Sequence, residues 1–169
     1  MRAPLPMPKR NPSTGSPPSR FALAVGATPA LAMAYRPGLR ALKRADAAHV
    51  SAPHPIRLTG SVNLDDALTA TLPNAARWDY AIGHHPRMGE EAILWVEIHA
   101  ASGGNHLHEM DAKVIWLLGW LRADAPAMSY TPRRIIWVAS GRSSFGGNDP
   151  KLRALRNRGL GFVGGHLRL

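Results

Sequence analysis

The chain has 169 residues and no cysteine, which excludes disulfide scaffolds, thiol nucleophiles and cysteine-ligated zinc. A hydrophobic fraction of 45% supports one packed core and excludes disorder of the whole chain. The net charge of +10, from 21 Lys and Arg against 11 acids, points to an anionic partner, most often nucleic acid. That charge is uneven along the chain: residues 1–60 carry +8, residues 61–130 carry −5 and residues 131–169 carry +7. An acidic middle between basic flanks suits a metal-dependent phosphodiesterase, with carboxylates at the reaction centre and cations around it. Charge alone favours the plainer reading, a solvated surface with a basic tail.

Residues 1–20 are rich in Pro and Ser and lack aliphatic periodicity. Residues 21–34, FALAVGATPALAMA, imitate a secretory leader. Gly26, Thr28 and Pro29 interrupt the apolar run, however, and it is too short to span a membrane. Residues 1–34 therefore read as a disordered or loosely ordered tail of a cytoplasmic protein, and 35–169 as one α/β domain. Residues 37–50 predict a short helix opening at Pro37. Residues 51–60 read as a loop and 61–73 as a second helix, capped by Ser61 or Asn63, with Asp65 and Asp66 in its first turn. Alternation predicts strands over 76–85 and 90–101. Leu107, Met110, Val114, Leu117, Leu118 and Leu121 recur at helical spacing within 106–124. A buried strand follows at 133–140, then a basic helix at 149–161 and a terminal edge strand at HLRL. The tryptophans at 95, 116, 120 and 137 read as core.

The expected fold is α/β, a central mixed sheet with helices on both sides. Period two puts Glu97 and His99 on one face of their strand, and hairpin pairing brings Asp79 opposite or diagonal to Glu97. Two carboxylates facing across a ladder repel, and a bound divalent cation converts that repulsion into coordination. Without a cation they would be two exposed strand residues. His99 would be a third ligand or would orient a bound water. His106, Glu109 and Lys113 share a helix face, and Glu109 and Lys113 are spaced for a surface ion pair. A zinc site from His84, His85, His99, His106 and His108 is a weaker grouping, since no spacing is diagnostic.

A helix, an Asp on one strand, Glu-x-His on the next, then a long helix and another strand resemble the PD-(D/E)XK nuclease superfamily over residues 60–141. The stretches PGLRALKRAD, LTGSVNLDDAL, ARWDYAIG and WVEIHAA also resemble an uncharacterised bacterial family with Trp-Asp-Tyr and Glu-Val-His-Pro-Ala motifs. The resemblance implies a restriction-endonuclease-like core. It also implies a hydrolase using Mg²⁺ or Mn²⁺ on DNA or RNA, with Asp79 and Glu97 as metal ligands. His99 stands where the superfamily has its lysine, and Trp78, not Pro, precedes Asp79. Lys113 is then a displaced substitute, and Asp65 or Asp66 an upstream acid. Arg133, Arg134, Arg153, Arg156 and Arg158 are the expected phosphate contacts. The alternative is a non-catalytic basic module on the same fold that binds nucleic acid or a protein.

Overall fold

A computed structural model describes residues 17–129, 132–145 and 148–169. The expected disorder of residues 1–16 lies outside the described residues. The helices are α1 (Arg20–Gly26), α2 (Arg44–Ala47), α3 (Leu64–Leu68), α4 (Gly104–Ala123) and α5 (Pro150–Asn157). The strands are β1 (Val50–Ser51), β2 (Leu58–Asn63), β3 (Tyr80–His84), β4 (Ala92–His99), β5 (Arg133–Ala139), β6 (Leu160–Gly164) and β7 (Leu167–Arg168). Five strands form a mixed sheet in the order β2-β3-β4-β5-β6. The first three make an antiparallel meander; β5 and β6 then run parallel to β4. The long connection between β4 and β5 is α4, as a parallel crossover requires.

The sheet is buried on both faces but not by helices on both, which corrects the expected layering. Residues of α1, α3, α4 and α5 all join the core built on Ala81, Ile93, Trp95, Ile135 and Trp137. The opposite face, with Tyr80, Ile82, Leu94, Val96 and Ile136, is covered by Leu39, Leu42, Val50 and Leu167. Thus the turn after Pro37 and the small parallel β1–β7 pair act as the second layer. The helix expected over 37–50 is reduced to the four residues of α2. Trp95, Trp120 and Trp137 are buried as expected, and Trp116 stacks on Trp120.

Residues 20–34 are not loose. Phe21, Val25 and Leu31 are fully buried, and Ser19 caps α1 by accepting from the Ala22 N–H. The buried Glu91 carboxylate accepts from the N–H groups of Arg20 and Phe21, 70 residues away. A carboxylate at a helix start satisfies orphan donors and meets the positive end of the dipole. Glu91→Ala should therefore lower stability by about 1–3 kcal/mol, measured by urea unfolding. An unchanged midpoint would show that the anchor is idle.

Candidate functional site

Local structure explains how Asp79 and Glu97 meet. The β3–β4 register pairs Tyr80 with Val96, so Asp79 falls opposite Glu97 at the point where β3 begins. Asp79 is thus at the strand's entry rather than mid-strand. Its carbonyl accepts from the Leu64 N–H at 2.9 Å, and its N–H donates to Glu97 Oε2 at 3.1 Å. Its own Oδ2 accepts from the Ile98 N–H at 2.9 Å. Each side chain therefore satisfies a backbone donor at the other strand, which is how the ladder ends without orphaned groups.

Lys113 completes the cluster from α4. Its Nζ donates to Glu97 Oε1 at 2.5 Å and to the Arg77 carbonyl at 2.8 Å. Glu97 is only 1% exposed. Asp79 is half-buried. Burial pushes both carboxyls up, Glu97 to about 8 with the Asp79 charge adding to it and Lys113 opposing; for Asp79 the Ile98 N–H and Lys113 oppose. Two acids and one ammonium in little water are neutral as a set when one carboxyl keeps its proton. Around the mouth lie Asp65, bonded to Arg77 Nε at 2.9 Å, and Lys43, paired with Asp66 at 2.9 Å. Tyr80 donates to Asp46 at 2.5 Å, and burial raises the phenol well above its ordinary range.

His99 does not join this cluster. It shares the sheet face of Glu97, since their β5 partners Ala139 and Trp137 lie in the same core. Its Nε2 instead lies 3.0 Å from His106 Nδ1 and 3.1 Å from Glu109 Oε2. The expected Glu109–Lys113 surface pair is replaced: Glu109 faces the imidazoles and Lys113 turns to Glu97. His84 is at the far end of β3, so the five-histidine grouping is not assembled.

The arginines are divided too. Arg133 and Arg134 open β5 beside Ile93 and Leu94, at the end of the sheet away from Glu97. Arg153, Arg156 and Arg158 lie on the exposed side of α5 and just past its end, with Arg158 ion-paired to Asp111. A cavity of 530 Å³ is lined by Met33, Arg36, Arg40, Asn63 and Asp66 and excludes both Asp79 and Glu97. Arg36 there donates to the carbonyls of Met33 and Tyr35, and Asp66 pairs with Lys43, so this hollow carries little unspent chemistry.

Sequence reasoning brought Lys113 to the acids as a displaced substitute from the helix after the strand, and the structure places its Nζ on Glu97. It missed the pairing of His99 with His106, which depends on how residues 100–103 turn the chain into α4. No helix among the described residues is long and apolar enough to cross a membrane. Compared with family models, curated proteins and solved structures, the chain matches none.

Proposed function

We propose that the chain is a divalent-cation-dependent phosphodiesterase acting on nucleic acid, on a restriction-endonuclease-like core. The observation that carries this reading is the meeting of Asp79, Glu97 and Lys113 at the end of the β3–β4 pair, beneath the crossover helix. The strand order, an antiparallel meander followed by a helix and a parallel strand, accords with it.

The carboxylates of Asp79 and Glu97 are a donor set for a hard cation such as Mg²⁺ or Mn²⁺. Asp79 Oδ1 accepts no hydrogen bond from the described residues, and carboxylate oxygens suit such ions. Glu97 would serve as a ligand only with Lys113 displaced from Oε1. A cation held there would supply Lewis acidity and a lowered pKa for its water. Asp79 and Glu97 would hold it, and Lys113 would offset negative charge developing on phosphate. With its Nε2 turned to His106 and Glu109, His99 is not the water-orienting group. The arginines of α5 would hold backbone phosphates.

Labelled single- and double-stranded DNA and RNA, incubated with Mn²⁺ or Mg²⁺, test this. Cleavage by the wild type, reduced at least about 100-fold in Asp79→Asn and Glu97→Gln, is the expected outcome. No cleavage under any condition, or equal cleavage by both variants, overturns it.

One observation favours a second reading, a non-catalytic basic module. Lys113 and one retained carboxyl proton already leave the acidic cluster neutral without a cation. That reading expects salt-dependent retention of duplex or single strand with no cleavage.

A further inference from the structure

Three donor atoms of different residues converge beside the acidic cluster. His99 comes from the last position of β4, and His106 and Glu109 come from the first turns of α4 at spacing i, i+3. The separations are 3.0 Å between the two imidazole nitrogens, 3.1 Å from His99 Nε2 to Glu109 Oε2, and 3.9 Å from His106 Nδ1 to Glu109 Oε2. Two donors each about 2.1 Å from one ion lie about 3.0 Å apart at a right angle and about 3.4 Å apart at the tetrahedral angle. Two of the observed separations have that size, and the third, 3.9 Å, corresponds to an angle of about 135° at the ion. Among the described residues it is the one group of three or more His, Asp or Glu that closes to this extent.

Hydrogen bonding explains the triangle poorly. His99 Nε2–H has one proton, and both His106 Nδ1 and Glu109 Oε2 would accept it. Two acceptors share one hydrogen. Glu109 also has no Lys or Arg partner among the described residues, since Lys113 is committed to Glu97. A cation at the centre would satisfy all three donors and neutralise the carboxylate.

We propose that His99, His106 and Glu109 form a site for one divalent transition-metal ion of the zinc class. Two imidazoles and one carboxylate select a borderline ion such as Zn²⁺ or Co²⁺ over Mg²⁺. Both histidine side chains are 28% exposed and Glu109 is 47% exposed, so an ion has a path in and water reaches its remaining positions. Three protein donors with an open position are the arrangement of a reactive metal rather than of a closed structural one. The backbone behind it is fixed, because Trp137 Nε1–H donates to the His99 carbonyl at 3.1 Å. The site does not depend on Asp79 or Glu97 and stands whether or not those residues hold a cation.

Titration of the full chain with Co²⁺, followed by its visible absorption bands, tests the proposal, with Zn²⁺ as competitor. One Co²⁺ per chain, displaced by Zn²⁺ and not by excess Mg²⁺, is expected. His106→Ala and Glu109→Gln should each weaken binding at least about 10-fold, with unfolding curves that stay cooperative because both side chains are partly exposed. The exposed His108→Ala should leave it unchanged. No stoichiometric Co²⁺ binding, retention in both His106→Ala and Glu109→Gln, or equal loss in the His108→Ala control overturns the proposal.

Discussion

Lys113→Met should destabilise the protein by about 3 kcal/mol near neutral pH, and by more at higher pH. Methionine nearly conserves the length and apolar stem of lysine, so packing against α4's neighbours is largely kept. What is lost is the ammonium. The Glu97 Oε1 atom and the Arg77 carbonyl each lose a donor, and Asp79 loses the cation that favours its charge. A buried acid stripped of its partner cannot recover in water the contacts it has lost, because Glu97 is 1% exposed. Raising the pH then forces Glu97 to ionise with no counter-charge beside it. Urea unfolding of the wild type, Lys113→Met, Glu97→Gln and the double variant measures this. The double variant should lose clearly less than the sum of the singles, since removing both partners leaves neither group stranded. Additive losses would mean that the 2.5 Å contact carries no coupling.

The elements read correctly from the sequence are those whose burial follows a period. Leu107, Met110, Val114, Leu117 and Leu121 are all buried on α4, and Ile93 through Val96 fill β4. β2 gave no such signal. Its LTGSVN stretch buries Ser61 and Asn63, whose polarity is satisfied by tertiary contacts: Ser61 Oγ accepts from the Ala41 N–H, and Asn63 caps α3. Gly60 adopts φ 135°, and the Tyr35 ring lies where a Cβ would be, so a residue that argues against a strand is required in this one. β6, LGFVG, hides for a similar reason, because two glycines dilute its pattern. The order of α1 is not legible locally because its anchor, Glu91, is far away in sequence. Of the site, period two located Glu97 and the pairing located Asp79. Helical spacing alone assigned Glu109 to Lys113. The true partners come from β4, which no rule internal to the helix contains.

Stability should fall as pH rises from about 4.5 to about 8, and Glu97→Gln should remove most of that slope. The Glu97 carboxyl titrates near 4.5 when exposed and is pushed up to about 8 by burial and then by the Asp79 charge, with Lys113 only partly offsetting them. Between those values the folded chain holds a proton that the unfolded chain has released. Folding then takes up a proton, so alkali opposes it, with a slope approaching 1.4 kcal/mol per pH unit for one group. Asp79 acts in the same sense, because its carboxyl is also raised by burial. His84 acts in the opposite sense: burial lowers its pKa, so the unfolded chain binds that proton first and stability gains as pH rises toward 6.5. The measurement is therefore a difference. Urea midpoints of wild type and Glu97→Gln, taken across the range in a chelating buffer, share the His84 contribution and differ by that of Glu97. The curves should converge at the acid end, where Glu97 is protonated in both states, and separate in favour of the variant toward about pH 8. Parallel curves would show that Glu97 is ionised throughout and fully neutralised by Lys113.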